Sequence, residues 1–222
     1  MSSPAPQTRD LVEHNGRHST TLRIPAHWKA LKYDDEDDPG NRFFKTRVKT
    51  ATRVSAVDFL LHDADSNALV LIECKDFRGD TAANLPRLSD QPTEDEKAAS
   101  VLLRKQSLKV KVTRNKPFLA TEFAKNVRDT LVGLLAAARA GDEALTPFQA
   151  LAVNHKRLIC VLSLEMDPLP GWRPGEGGRL LGLLKSRIER ELAFIEGTEV
   201  IIWSGLRPLA PAPYSWEILA SA

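Results

Sequence analysis

Asp58, Glu73 and Lys75 are the residues of this sequence whose types and spacing can do chemistry together. Asp58 interrupts the apolar run Ser55-Ala56-Val57-Asp58-Phe59-Leu60-Leu61. Glu73 and Lys75 close a second one, Ala68-Leu69-Val70-Leu71-Ile72-Glu73-Cys74-Lys75. Carboxylates among residues that prefer burial need compensation, because a buried unpaired charge is very costly. A divalent cation is one compensation, since it replaces lost hydration and balances paired negative charge. Residues two apart on a strand project to the same face, so Glu73 and Lys75 are expected side by side, with Cys74 directed into the core. Two acids, an ammonium and a divalent cation suit phosphodiester hydrolysis. The cation polarises the phosphate and lowers the pKa of a coordinated water. Lys75 orients or deprotonates that water, or stabilises developing charge.

These side chains meet only if the elements around them cooperate. His62-Asp63-Ala64-Asp65-Ser66-Asn67 supplies turn chemistry between the two apolar runs, which predicts an antiparallel hairpin over 55–75. A near-ideal register then sets Asp58 across from the end of the second strand, within reach of Glu73. Upstream, Thr20-Thr21-Leu22-Arg23-Ile24 reads as a strand stopped by Pro25. Downstream, Phe123, Val127, Leu131, Leu134 and Leu135 share one face of a helix over about 120–139, which Gly141-Asp142 ends. Lys156–Leu164 reads as a fully buried strand. Leu181, Leu184, Ile188 and Leu192 mark another helix, Glu199–Trp203 a last strand, and the tail from Arg207 is extended and packs through Trp216. The fold class is α/β, a central mixed β-sheet flanked by helices. One domain is expected over 11–222. Residues 1–10 are read as disordered, and 79–118 as an insertion with a mobile loop and a basic stretch.

Composition bounds the function. The 222 residues are 42% hydrophobic, enough to bury a core, and their formal net charge is +2. Nucleic-acid affinity would therefore come from a local patch, and Arg104, Lys105, Lys109, Lys111, Arg114 and Lys116 form the one basic cluster. A solvated helix face explains that cluster equally well. Cys74 and Cys160 are too few for a disulfide framework or a cysteine-rich zinc site and read as small buried hydrophobes. Met1–Arg9 is polar, and no apolar run approaches a membrane span, which predicts a soluble, cytoplasmic protein without membrane contact. His14 and His18 have a metal-binding spacing on a helix, but Asn15-Gly16 between them favours a turn. Gly175-Glu176-Gly177-Gly178 lacks the Lys-Ser/Thr of a phosphate-binding loop and reads as an ordinary helix start. Trp28, Trp172, Trp203 and Trp216 read as core or loop anchors.

Val57-Asp58-Phe59, followed after a spacing of about fifteen residues by Leu71-Ile72-Glu73-Cys74-Lys75-Asp76-Phe77-Arg78, resembles the PD-(D/E)XK, or restriction-endonuclease-like, nuclease superfamily. Val57 stands where the family name has proline. The resemblance covers roughly Lys29 to Arg139. It implies a restriction-endonuclease-like core and Mg²⁺, with Mn²⁺ as substitute, held by Asp58, Glu73 and the backbone carbonyl of Cys74. It also implies that Lys75 is catalytic. Many members add an acid from a first helix, for which Asp35 and Glu36 are the candidates and Glu13 a weaker one. A polar residue from the following helix, Lys125 or Asn126, is a further candidate. The function implied is metal-dependent phosphodiester hydrolysis, DNA being the first choice of substrate, by a homodimer or with a targeting partner protein. The alternatives are a catalytically inactive nucleic-acid- or protein-binding module on the same fold, and a structural ion-pair core without metal affinity.

Overall fold

The structure is a computed structural model that describes residues 7–15, 18–34, 43–50, 54–89, 94–105, 117–206 and 217–220. β1 (Thr8–Asn15) and β2 (His18–Pro25) pair antiparallel, followed by β3 (Lys29–Lys32), β4 (Phe59–Asp63) and β5 (Ala68–Asp76). A short α1 (Thr81–Asn84), a 3-10 turn over Leu85–Arg87 and α2 (Glu94–Lys105) precede the long α3 (Leu119–Ala140). Then come α4 (Thr146–Asn154), β6 (Arg157–Glu165), α5 (Glu176–Leu192), β7 (Thr198–Trp203) and β8 (Glu217–Ala220).

Two sheets result. The five-stranded one has the order β3-β4-β5-β6-β7, antiparallel from β3 to β5 and parallel from β5 to β7. Parallel neighbours need long crossovers, which α3 with α4, and then α5, provide. The three-stranded sheet has the order β1-β2-β8. β5 and β6 lie at the centre, and their unbroken apolar character reflects burial on both faces. On one face Leu60, Leu69, Leu71, Cys160 and Leu162 pack with Phe123, Val127 and Leu134 of α3 and Leu184 and Ile188 of α5. On the other, Phe59, Leu61, Val70, Ile72 and Cys74 pack with Leu22, Ile24, Trp28 and Ile218. The central mixed sheet is thus covered by helices on one side and by the small antiparallel sheet on the other. Among the described residues no helix is long and apolar enough to cross a membrane.

The hairpin turn shows why the sequence folds this way locally. Asp63 Oδ1 accepts the backbone N–H groups of Asp65 and Ser66 at 2.9 and 3.1 Å, and Oδ2 accepts the Ser66 hydroxyl. Asn67 takes φ 52°, a left-handed conformation that asparagine tolerates. Asp63→Ala removes all three acceptor contacts and is expected to cost about 1–3 kcal/mol, read from the urea unfolding midpoint.

The first hairpin strand begins at Phe59, not Ser55, because the N–H groups of Ser55 and Val57 are taken by α3 side chains. β1 starts at Thr8, inside the segment expected to be disordered. Pairing with β2 and a bond from Arg9 to the Trp28 carbonyl at 2.7 Å hold it there. The segment read as a loop contains α1, the 3-10 turn and the start of α2. Leu135 is 40% exposed, since the buried stripe of α3 runs through Phe123, Val127, Thr130, Leu134 and Ala137. Asp35, Glu36, Lys109, Lys111, Arg114, Lys116 and the tail from Arg207 to Trp216 lie outside the described residues, and Lys105 is the last residue of α2.

Candidate metal centre

Asp58 sits at a bend just ahead of β4. The register sets Phe59 opposite Ile72, so β4 stops short of the last part of β5. The Asp58 side chain takes over that edge: its Oδ2 accepts the Cys74 N–H at 2.5 Å. Its own carbonyl accepts the Tyr33 N–H at 2.7 Å, which ties it to the chain just past β3. Both main-chain polar groups of an extended residue leave the strand on the same side, so the Cys74 carbonyl faces this edge too. The Cys74 side chain is buried in the core between the sheets.

Two more acids arrive from elsewhere in the fold. Glu13 comes from β1 in the small sheet, and Asp34 follows β3 by two residues. Ligand oxygens of Glu13, Asp34 and Asp58 lie within 4.8 Å of one another. Among the described residues no other group of three His, Cys, Asp or Glu comes so close. Lys32 brings a positive charge to the cluster, with its Nζ 3.2 Å from Glu13 Oε2. Burial, reinforced by the charge of Glu13, raises the pKa of Asp34 above the ordinary carboxylate range. Burial, followed by the charges of Glu73 and Asp34, pushes Asp58 well above it. Three carboxylates whose oxygens converge this closely form a cluster that can chelate a divalent cation.

On the helix-covered face of β5, Glu73 and Lys75 meet. Lys75 Nζ stands 2.5 Å from Glu73 Oε1 and 3.5 Å from Glu122 Oε1. Asn126 donates to the same Glu73 Oε1 at 3.0 Å. Glu73 Oε2 is buried and accepts no hydrogen bond among the described residues, as is true of Asp34 Oδ1. Glu122 Oε2 continues to Arg87 at 2.6 Å, and that guanidinium lies 5.1 Å over the Phe77 ring. Burial raises the pKa of Glu73 despite Lys75 and Asn126. Burial disfavours the Lys75 ammonium, but Glu73, Asp58 and Glu122 together outweigh it and hold the lysine charged above its ordinary range. Both thiols are pushed up by burial, which leaves Cys74 and Cys160 inert as nucleophiles at neutral pH.

The fold therefore gathers Asp58, Glu73, Lys75 and Asn126 in one region and adds Glu13. Lys125 is turned away. It bonds Ser55 Oγ at 2.8 Å and pairs with Asp129, one helical turn on, so it does not reach Glu73. Asp34 and Glu122 are absent from the candidates read from sequence. Asp34 directly precedes Asp35 and Glu36 in the acidic run that starts there, and that run is the signal for it. Glu122 lies in the first turn of α3, where an acid is unremarkable in sequence. His14 and His18 sit on the paired strands β1 and β2 and share no helix. Comparison of the chain with protein-family models, curated proteins and solved structures finds no match.

Proposed function

We propose that the chain is a Mg²⁺-dependent nuclease, with Mn²⁺ as substitute, built on a restriction-endonuclease-like core and acting on DNA. The observation that carries this reading is the meeting of acids on both sides of Asp58, with Glu13 and the half-buried Asp34 on one and the Glu73–Lys75 pair on the other. The donor set fits a hard divalent cation: it is all oxygen, carboxylate and carbonyl, and two buried oxygens, Asp34 Oδ1 and Glu73 Oε2, lack hydrogen-bond donors among the described residues. Asp58 would hold the ion with Glu13 and Asp34, or with Glu73 and the Cys74 carbonyl. Such an ion, when bound, supplies Lewis acidity at the phosphate. The protein does the rest. Asn126 and Lys75 fix one oxygen of Glu73 and leave the other free, and burial excludes water and strengthens every electrostatic contact. Lys75, held charged between Glu73 and Glu122, is placed to stabilise negative charge developing on a phosphate.

A panel of single- and double-stranded DNA and RNA, with Mg²⁺, Mn²⁺ or EDTA, tests the reading. Lys75→Ala is expected to reduce cleavage by on the order of 10²–10³ while leaving Mn²⁺ binding in place. One feature favours a rival. Lys75, Glu73, Glu122 and Arg87 form a continuous chain of ion pairs that is neutralised without any metal. Under that structural reading Lys75→Ala lowers the melting temperature and the wild-type protein cuts nothing in any metal. Lys105, Lys109, Lys111 and Arg114 are the proposed phosphate contacts. Binding through them is expected to weaken linearly with log salt concentration, by a slope of about 0.9 per duplex phosphate contacted. A salt-independent affinity would remove them from the interface.

A further inference from the structure

We infer that one face of α3 is the template of the acidic site, with Asn126, Thr130 and Gly133 each fixing the chain at or beside one of its carboxylates. The inference rests on the metal-binding reading above and assigns positioning roles to Thr130 and Gly133. The spacing, four residues and then three, sets all three on one side of the helix. Each departs from the apolar character of that side, and threonine and glycine are poor helix formers.

Each contact ends at an acid or at its neighbour in the chain. Asn126 donates to Glu73 Oε1 at 3.0 Å, so Oε2 is the oxygen left free. Thr130 is fully buried, and its Oγ1 accepts the N–H of Val57, the residue before Asp58, at 3.1 Å. Asp129 reinforces this from the preceding position, with Oδ2 accepting the Ser55 N–H at 2.9 Å. Residues 55–57 are thereby docked on the helix, not paired in the sheet, and Asp58 is left at a bend with its side chain across the β5 edge. Gly133 acts by absence. A Cβ there would stand 2.9 Å from the Tyr33 hydroxyl, a separation real Cβ atoms do not show. Tyr33 is fully buried against Phe44, with ring centroids 5.2 Å apart. Its N–H holds the Asp58 carbonyl at 2.7 Å, and Asp34 is the next residue. A Cβ at Gly133 therefore forces a shift at Tyr33, the residue that bonds the Asp58 carbonyl and directly precedes Asp34.

The test is Mn²⁺ titration of the full chain by calorimetry, run below the melting transition of every variant, beside the melting temperature of each metal-free protein. Thr130→Val keeps the shape but loses the acceptor for Val57. It is expected to weaken Mn²⁺ binding about tenfold, the scale on which residues supporting metal ligands act, and Thr130→Ser is expected to restore it. Gly133→Ala is expected to weaken binding to a similar degree, and Tyr33→Phe with Gly133→Ala to recover it, since the clashing oxygen is gone. A merely structural role would lower the melting temperatures and leave the Mn²⁺ affinity of the folded variants at the wild-type value, which overturns the inference. Should Thr130→Val fail to fold, the Gly133→Ala variant and its Tyr33→Phe partner decide by the same criterion. A wild-type protein that binds no Mn²⁺ at millimolar concentration overturns the metal reading and the template with it. Wild-type binding with unaltered variants overturns the template alone.

Discussion

Asp58→Asn is expected to abolish metal-dependent cleavage, by a factor on the order of 10³, and at the same time to raise the melting temperature of the metal-free protein. The two effects have one origin. Asp58 is 9% exposed, lies among the charges of Glu73 and Asp34, and has its pKa pushed well above the carboxylate range, first by burial. Its charge therefore costs the fold stability whenever no cation is present. Asparagine keeps a carbonyl oxygen to accept the Cys74 N–H, which Asp58 Oδ2 accepts at 2.5 Å, and it carries no charge. Replacing a buried, poorly compensated ion by a neutral group of the same shape is expected to gain about 1–3 kcal/mol. For a chain of this size each kcal/mol moves the transition by roughly 2–4 °C. Calorimetric melting in EDTA, with a cleavage assay on the same preparation, reads both. A variant that loses activity and also loses apo-stability would mean that Asp58 is held by compensation already within the fold, and the cation site would lose its main support.

The second large effect is the dependence of stability on divalent cation and pH together. Asp34, Asp58 and Glu73 all have folded-state pKa values above those of the unfolded chain, about 4, chiefly through burial. Between the unfolded and folded values the native state binds more protons than the unfolded one, so stability falls as pH rises through the folded values. The metal-free protein is thus expected to be more stable in mildly acidic buffer than at pH 8. On the far acid side the trend reverses. Asp76 has a lowered pKa, because its bonds from Arg78 outweigh burial, so its contribution is lost as pH falls through that lowered value. A saturating cation binds the ionised carboxylates and should remove the loss on the alkaline side. At a hundred times its dissociation constant it adds about 2.7 kcal/mol, or roughly 5–10 °C. Melting curves from pH 5 to 8, with EDTA and with Mg²⁺ or Mn²⁺, measure this. A metal-free protein whose stability rises steadily with pH, indifferent to cations, would contradict it.

Parts of this site are legible because short-range geometry decides them. Glu73 and Lys75 alternate with Cys74 along β5, and the ion pair at 2.5 Å on one face and the buried thiol on the other follow from the two-residue strand period. The turn of Asp63 to Asn67 is legible because aspartate and asparagine write their own local hydrogen bonds and left-handed dihedral. α3 is legible from the spacing of Phe123, Val127 and Leu134, and its end from Gly141, which takes φ 69°. The restriction-endonuclease-like resemblance rests on the same local features, and so it reaches no further than they do.

What the sequence by itself determined is therefore the pair on β5, the hairpin that presents it and the helices α3 and α5, since each depends on residues a few positions apart. Tertiary structure alone decided which other side chains arrive there. Glu13 reaches Asp58 only because the β1-β2-β8 sheet stacks on the central one, and Asp34 only because β3 pairs beside β4. Asn126 faces Glu73 while Lys125 turns to Asp129 because packing fixes the rotation of α3 about its axis. The physical reason is the same in each case. Local propensity sets the form of an element, but its placement comes from burying apolar faces against partners distant in the chain, and a carboxylate's neighbours are a consequence of that placement.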